Sequence, residues 1–284
     1  MYITRNPEIA RIVENAGVDW IFIDMEYIDK DLRQCGLDTV KNHHTIEDIR
    51  NIKQATNIAK VLVRINPLHD GNDIYTSSKE EIDVSIDAGA DIIMLPYFHT
   101  VEEVREFISY VNGRAQTCLL LETPEAADAI DDILEVPGID MIHIGLNDMY
   151  LAMEMDFMFE LLANGTVENL LKKMQAKGIM CGFGGVAGLQ SGMLPGAKVL
   201  KEHCRLKSEM VIVSRTFCNT DIITDKNEIA EIFNNGIKEL RALEAECAGK
   251  EPEYFEENRK EVVKGVNDIV EIIRQKKNKA KEQK

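Results

Sequence analysis

Short runs of apolar residues alternate along this chain with longer segments in which apolar residues recur at helical spacing. The first strand-and-helix unit consists of residues 1–4, an apolar helical face made by Ile9, Ile12 and Val13, and a stop at Gly17. The same alternation continues to about residue 247 and predicts eight strands, at residues 1–4, 20–24, 61–64, 91–97, 118–122, 141–146, 179–183 and 210–214.

Helix start signals follow several of these strands. Two helices are expected to begin at an N-cap followed by proline, and two at capping boxes, namely Asn6-Pro7, Thr123-Pro124, Ser78 with Glu81, and Thr100 with Glu103. Thr45 is expected to cap a further helix, after a polar connection over residues 27–44 that is long for a strand-to-helix loop. We interpret that connection as a lid over a site.

Eight strand-helix units in 284 residues fit a single (β/α)8 barrel, a fold of about 250 residues. We assign residues 1–250 to the barrel. Residues 251–284 are expected to form an added C-terminal helix and a basic tail, with apolar positions over 251–276 that need a partner surface. The tail over 274–284 carries six basic residues and one Glu, a local charge of +5, and is interpreted as a solvated helix end.

The composition disfavours several classes of function. The chain has 33 Lys and Arg against 49 Asp and Glu, a formal charge of −16, which disfavours nucleic acid as a partner. Its six cysteines are scattered without a Cys-x-x-Cys pair, which indicates reduced thiols. No apolar stretch approaches the ~20 residues that span a bilayer, and no signal peptide is visible. We therefore expect a cytoplasmic protein with no membrane partner.

Polar side chains end otherwise apolar strands, where a barrel of this kind has its active site. These positions are Asp24, Glu26, Arg64, Glu122, Asp148, Ser214 and Arg215. Glu122 and Asp148 follow neighbouring strands, so their carboxylates are expected to meet around one point. Two such carboxylates favour Mg²⁺ or Mn²⁺ over zinc. Arg64 would supply a planar donor for a carboxylate or enolate oxygen.

Structural explanations compete with these assignments. Arg64 could form a salt bridge with Asp24 or Glu122 at the barrel mouth, and Glu122 could simply favour a helix N-terminus. Asp24 and Glu26 could belong to a solvated turn.

The histidines and glycines also have structural interpretations. His143 is expected to be buried with its hydrogen bonds satisfied, and His43 and His44 to be exposed. The glycine-rich stretch over residues 182–188 could cradle a phosphate, but tight turns explain it equally well.

Several of these segments together resemble the HpcH/HpaI aldolase/citrate lyase family. The similarity extends over about residues 7–150 and is carried by Pro7-Glu-Ile-Ala, the stretch from Ala16 to Glu26, Val63-Arg64, Asp87-Ala-Gly-Ala, Pro96, Leu121-Glu122, Val136-Pro-Gly-Ile-Asp and His143-Ile-Gly-Leu-Asn-Asp148. The resemblance implies a divalent-metal-dependent lyase on a (β/α)8 barrel, acting through a pyruvate or oxaloacetate enolate. It also implies a homo-oligomer, a trimer or hexamer, with the C-terminal helix exchanged between subunits.

The resemblance also implies roles for individual residues. Glu122 and Asp148 match the metal ligands, and Arg64 matches the arginine that contacts the keto acid. The backbone amides of Asn147 and Asp148 fall where the family binds the pyruvate carboxylate. Asp24 matches an acidic residue near the catalytic base, and Asp87 matches an aspartate contributed by a neighbouring subunit.

One match fails, because Tyr27 stands where aldolases of the family carry a histidine base. A tyrosine, with an ordinary pKa of about 10, is a poor base at neutral pH. The remaining candidates for proton transfer are a water on the metal, Tyr27 and His99.

We expect reversible cleavage of a 4-hydroxy-2-oxo acid, with a small keto acid as substrate. Two alternatives remain open. One is a CoA-thioester lyase of the citrate lyase beta-chain type, and the other is a non-catalytic barrel that serves as a binding or assembly subunit.

Overall fold

A computed structural model describes residues 1–28, 44–220 and 222–282 of the chain. Eight parallel strands form a closed barrel in which each strand pairs with the next and β8 pairs with β1. The predicted (β/α)8 barrel is therefore confirmed. The strands are β1 (Tyr2–Ile3), β2 (Trp20–Asp24), β3 (Lys60–Arg64), β4 (Ile92–Leu95), β5 (Gln116–Leu121), β6 (Met141–Ile144), β7 (Met180–Val186) and β8 (Met210–Val213).

Helices surround this barrel. Within the described ranges they are α1 (Pro7–Asn15), α2 (Ile46–Ala55), α3 (Ser78–Asp87), α4 (Val101–Val111), α5 (Pro124–Asp128), α6 (Ile130–Ile133), α7 (Leu146–Ala152), α8 (Glu160–Ala163), α9 (Thr166–Ala176), α10 (Gly196–Arg205), α11 (Lys226–Cys247) and α12 (Pro252–Glu282). The expected lid over residues 27–44 lies mostly outside the described residues.

Alternation along the strands separates two apolar layers. One set of side chains packs inside the barrel, including Phe22, Leu62 and Leu120. The intervening residues, such as Ile21, Ile23 and Val63, are fully buried against the helices. Since the side-chain period of a strand is two, a polar residue two positions beyond an interior apolar residue also faces the interior. The inner layer therefore leads directly into the carboxyl-terminal mouth.

Most of the predicted helix starts are confirmed. The side chain of Asn6 accepts hydrogen bonds from the backbone of α1, and Thr123 does the same for α5. Thr100 and Glu103 form the expected capping box at α4.

The capping box predicted for Ser78 and Glu81 is wrong. The N-cap of α3 is Ser77, whose side chain accepts from the amide of Glu80. Glu81 is completely buried, and its carboxylate accepts a hydrogen bond from the side chain of Asn66.

The C-terminal helix α12 packs against α8 and α10 of its own barrel. Asn258 donates hydrogen bonds to the carbonyl of Lys198 at 3.1 Å and to Oε1 of Glu202 at 2.8 Å. Near the other end, Arg274 and Lys277 both form ion pairs with Asp156. The helix continues past the predicted end at residue 276. The division of the chain at residue 250, and exchange of α12 between subunits, stay predictions.

None of the described helices has the length and apolarity that a membrane span requires.

Candidate active site

A cavity of about 690 Å³ opens at the carboxyl-terminal ends of the strands. Its walls include side chains that end or follow β2, β3, β5, β6 and β8. Among them are the predicted site residues Asp24, Arg64, Glu122, Asn147, Asp148, Ser214 and Arg215. A second cavity, of about 410 Å³, lies at the other end of the barrel and contains none of these residues.

Asp24 and Arg64 are direct register partners on β2 and β3. Each comes two residues after an interior side chain, Phe22 or Leu62, so both continue the inner layer into the cavity. Arg64 donates from Nε to Oδ1 of Asp24 and from Nη2 to Oδ2, both at 2.8 Å. This two-bond geometry holds the guanidinium plane in one orientation. The salt bridge that we considered for Arg64 is therefore present, and its partner is Asp24.

Glu26 adds a second negative charge beside this pair, with Oε2 3.3 Å from Nη1 of Arg64. Burial alone would lower the pKa of Arg64, but the carboxylates of Asp24 and Glu26 outweigh burial and raise that pKa well above its ordinary value. Arg64 therefore stays charged at the cavity wall. Asp24 and Glu26 are both 1% exposed, so they do not form a solvated turn.

Glu122 follows β5 and is 3% exposed. Two contacts from the preceding strand-to-helix connection hold this end of β5. The hydroxyl of Thr123 donates to the carbonyl of Phe98 at 2.7 Å, and the backbone amide of Tyr97 donates to Oε1 of Glu122 at 3.1 Å. Tyr97 adopts a left-handed φ of 47°, a conformation that costs free energy in a residue other than glycine.

Asp148 is the third residue of α7, which begins directly after Gly145, and it is 9% exposed. Gly145 lets α7 approach Glu122 closely, because a Cβ atom at this position would lie 2.8 Å from both Cβ and Oε2 of Glu122. The start of α7 and the Glu122 side chain thus pack together at the cavity wall. The first amides of α7, which include those of Asn147 and Asp148, have no acceptor within their own helix.

These carboxylates suit a hard divalent cation. Within residues 1–28, 44–220 and 222–282, there is no cluster of three or more His, Cys, Asp or Glu side chains that could hold a metal ion. An ion held by Glu122 and Asp148 would have coordination positions open to oxygen atoms of water and substrate. One or two carboxylates plus substrate oxygens are the usual ligands of Mg²⁺ in proteins, so the donor set fits that ion.

Tyr27, a candidate base, is not among the residues that line the cavity. Its hydroxyl oxygen is buried, and within the described part of the chain it has no hydrogen-bond partner. Burial raises the pKa of Tyr27 above 10.0, and the negative charges of Glu81 and Asp73 raise it further. The geometry therefore does not favour Tyr27 as a base.

A buried polar network that sequence reasoning missed fixes the backbone at Tyr27. Oδ1 of Asn66 accepts from the amides of Tyr27 and Ile28 at 3.0 and 3.1 Å. Asn66 in turn donates from its backbone N and its Nδ2 to Oε1 of Glu81, at 3.1 and 2.9 Å. Nε2 of His69 lies 3.1 Å from the other oxygen of Glu81. In the sequence, the only indication of this network is that Asn66 stands two residues after Arg64.

The cavity also contains two histidines. His143 is buried as expected, with Nε2 3.0 Å from the carbonyl of Gly184, but Nδ1 has no hydrogen-bond partner among the described residues. Burial lowers the pKa of His143 to about 4. The expectation that His44 is exposed is wrong, because its side chain lines the cavity and its Nδ1 accepts from the amide of Asp24 at 3.0 Å. His43 lies outside the described residues.

Two other candidates lie away from the cavity. Asp87 is exposed at the last residue of α3, at the end of the barrel opposite the cavity. Nδ1 of His99 is 3.4 Å from Oε2 of Glu125, and the His99 side chain is 38% exposed. In the glycine-rich stretch, Gly184 and Gly185 line the cavity. Gly182 instead allows a close strand contact, since a Cβ there would lie 2.0 Å from the carbonyl oxygen of Met210.

Comparison with known proteins adds to this geometry. A model of the HpcH/HpaI aldolase/citrate lyase family matches residues 2–180. The chain belongs to this family. The predicted family and the predicted class of enzyme, an aldolase or carbon–carbon lyase, are therefore confirmed.

Individual family members are distant in sequence. A hydroxypyruvate/pyruvate aldolase of Roseovarius nubinhibens is 26% identical over 195 residues, which cover 63% of this chain and 73% of that protein. A 2-keto-3-deoxy-L-rhamnonate aldolase of Escherichia coli K12 is 25% identical over 210 residues, covering 63% and 71%. The crystal structure of an HpcH/HpaI aldolase from Desulfitobacterium hafniense shares the fold, with a TM-score of 0.55, 18% identity and coverage of 75% and 84%.

Proposed function

We propose that this chain cleaves and forms 4-hydroxy-2-oxo acids through the enolate of a pyruvate-type keto acid, with Mg²⁺ or Mn²⁺ held by Glu122 and Asp148. The observation that carries the proposal is the shared cavity of these two buried carboxylates and the Asp24-bound Arg64. The relatives' names, hydroxypyruvate/pyruvate aldolase and 2-keto-3-deoxy-L-rhamnonate aldolase, support the substrate class. When bound, the divalent ion supplies Lewis-acid stabilisation of negative charge on the keto acid oxygens.

Arg64 would hold one of those oxygens from the β3 side of the cavity. Two of its N–H groups bind Asp24, and a third faces Glu26, so the guanidinium is oriented before any substrate enters. Donors that need no reorganisation during the reaction give the largest stabilisation of developing charge. Asp24 therefore acts as a positioning residue for Arg64.

The keto acid carboxylate would lie at the start of α7. The amides of Asn147 and Asp148 belong to the first turn, where backbone N–H groups lack helical acceptors and favour an anion. Asp148 would then serve twice, with its side chain toward the cation and its amide toward the substrate.

We keep a homo-oligomer, a trimer or hexamer, as part of the proposal. Asp87 lies at the far end of its own barrel from the cavity, so a catalytic role would require it to reach a neighbouring subunit's cavity. Size-exclusion chromatography with light scattering tests the assembly independently of activity.

Exchange of the pyruvate methyl protons with deuterium tests the enolisation step. In D₂O, NMR should show loss of the methyl proton signal that depends on enzyme and on Mg²⁺ or Mn²⁺. Glu122→Gln and Asp148→Asn should each slow the exchange by at least about 100-fold, the range for removing a preorganised stabilising group. Glu125→Gln, at an exposed position, is the matched control. Equal exchange in all three variants would contradict the assignment.

A further inference from the structure

Two cysteines that are far apart in the sequence meet where helices α10 and α11 pack against each other. Cys204 is the next-to-last residue of α10, and Cys247 is the last residue of α11. A hydrogen bond joins their side chains. Cys247 is buried, whereas Cys204 is half-buried and gives the pair one side that reaches solvent. Because a disulfide requires two sulfurs that are already neighbours, this contact is the arrangement from which one can form.

The hydrogen bond gives the two sulfurs different roles. Burial, together with the hydrogen bond to Cys247, raises the pKa of Cys204 to about 12. Cys204 therefore keeps its proton at neutral pH and donates it to the sulfur of Cys247. Since the thiolate and not the thiol is the nucleophile, the sulfur that reacts first is that of Cys247.

A lysine lies beside the pair. Lys201 precedes Cys204 by three residues on α10, so the two side chains share one face of the helix. Nζ of Lys201 is 4.7 Å from the centre of the Tyr254 ring, near the start of α12. A hydrogen bond to Tyr254 raises the pKa of Lys201, and negative charge on Cys247 adds to this effect. The attraction is mutual, so the ammonium group stabilises a thiolate at Cys247.

The remaining described cysteines have no such neighbour. Cys118, Cys181 and Cys218 are buried, and none of the three has a thiol as hydrogen-bond partner within the part of the chain that the structure describes. Neither Cys204 nor Cys247 lines the cavity at the strand ends, so the pair is separate from the candidate active site.

We propose that Cys204 and Cys247 form a site of reversible oxidation, at which a peroxide converts the two thiols into a disulfide between α10 and α11. The Cys247 thiolate attacks one peroxide oxygen, so an S–O bond forms, the O–O bond breaks and hydroxide leaves. The sulfur of Cys204 then attacks the sulfenic acid at Cys247. An S–S bond forms, the S–O bond breaks, and the departing hydroxide takes the Cys204 proton and leaves as water. The two sulfurs together lose two electrons, the peroxide is reduced, and a dithiol reductant reverses the change.

Mass spectrometry of the full chain tests this site. The reduced protein is treated with hydrogen peroxide, its remaining thiols are alkylated, and the chain is digested with trypsin without reduction. We expect the intact chain to lose about 2 Da before alkylation. The digest should contain a cross-link between the peptides of residues 202–205 and 242–250, and dithiothreitol should remove it. Cys218→Ser is the matched control and should give the same cross-link.

Variants separate the roles of the two sulfurs and of the lysine. Cys204→Ser leaves Cys247 without a thiol to attack it, so dimedone should label a sulfenic acid at Cys247. Cys247→Ser should leave Cys204 reduced, because that sulfur keeps its proton. Lys201→Met should slow formation of the cross-link about threefold, the effect of losing one partly screened charge. Lys198→Met removes a lysine that pairs with Glu261 on α12 and should leave the rate unchanged.

The wild-type digest decides the proposal even where a variant does not fold. If Cys204 and Cys247 both stay reduced in a large excess of peroxide, or if either is cross-linked to another cysteine, the site is disproved. A sulfenic acid that forms at Cys204 in Cys247→Ser, with none at Cys247 in Cys204→Ser, would contradict the order of the two steps.

Discussion

The guanidinium of Arg64 binds the carboxylate of Asp24 through two hydrogen bonds of 2.8 Å, between residues that are register partners on β3 and β2. The side chains of Asp24 and Arg64 are 1% and 13% exposed, so solvent screens the pair little. One carboxylate thus fixes the orientation of the cation that we assign to the keto acid.

Replacing Asp24 by Asn should release Arg64 from this orientation. The variant keeps one acceptor but loses the charge, and we expect kcat/KM for aldol cleavage to fall about 10- to 100-fold. Leaving a buried charge partly unpaired also costs about 3 kcal/mol of the free energy of unfolding. Steady-state kinetics and urea unfolding measure the two effects. Asp19→Asn, at a carboxylate that is 70% exposed and pairs with Arg241, should change neither, and equal effects in both variants would contradict this role of Asp24.

Gly145→Ala should disturb the cation site through packing alone. The backbone of Gly145 has φ −82° and ψ 87°, so alanine causes no left-handed strain. Its Cβ would lie 2.8 Å from Oε2 of Glu122, and the carboxylate must therefore move. We expect at least tenfold weaker Mn²⁺ binding by calorimetry. Gly249→Ala is the control, since its Cβ would meet only the carbonyl of Glu246 at 4.0 Å, and unchanged affinity in Gly145→Ala would disprove the packing argument.

Glu81→Gln should loosen the backbone that follows β2. The new amide nitrogen would face either the Asn66 donors or Nε2 of His69, and a buried donor would lose its acceptor at a cost of about 1–3 kcal/mol. Hydrogen exchange should therefore accelerate at the amides of Tyr27 and Ile28, which Asn66 holds. Glu80→Gln is the control, because this half-buried carboxylate accepts from Thr76 and not from Asn66, and it should leave those two amides protected. Unchanged protection in Glu81→Gln would show that Asn66 holds the backbone without Glu81.

Two buried histidines should make the protein less stable in mild acid. Burial lowers the pKa of His143 to about 4, and burial together with His143 lowers that of His203 to about 3, from 6.5 in both cases. Below pH 6.5 the unfolded chain takes up protons at these rings that the folded chain does not. The free energy of unfolding therefore falls as the pH drops toward 4, by up to about 1.4 kcal/mol per pH unit for each ring.

Urea unfolding at pH 7 and pH 5 measures this slope. The ring of His203 stacks on Phe183 with 3.8 Å between centroids, so His203→Gln will lower the free energy of unfolding at both pH values. The difference in that free energy between pH 7 and pH 5 should shrink by about 2 kcal/mol. His99→Gln should retain the wild-type difference, because His99 is exposed. If the free energy of unfolding of His203→Gln changed between pH 7 and pH 5 as much as that of the wild type, the ring of His203 would not contribute to the pH dependence.

The barrel and much of the site can be predicted from the spacing of apolar residues along the chain and from the polar residues at the ends of strands. Asp24 and Arg64 are predicted because they end apolar strands, and the alternation that buries Phe22 and Leu62 inside the barrel explains why both side chains face the cavity. The Ser-x-x-Glu pattern predicts a capping role for Glu81, whereas the fold brings Asn66 and His69 to its carboxylate. The polar connection around His44 predicts an exposed side chain, because its contact with Asp24 joins residues 20 apart that only tertiary folding brings together.

Calorimetric titration of oxalate, a mimic of the pyruvate enolate, tests the central claim most directly. With saturating Mn²⁺ the wild-type protein should bind oxalate, and without the metal it should not. Glu122→Gln and Asp148→Asn should both abolish the metal-dependent heat, while Glu125→Gln retains it. Oxalate binding that does not depend on Mn²⁺, or that persists when both carboxylates are replaced, would contradict the account.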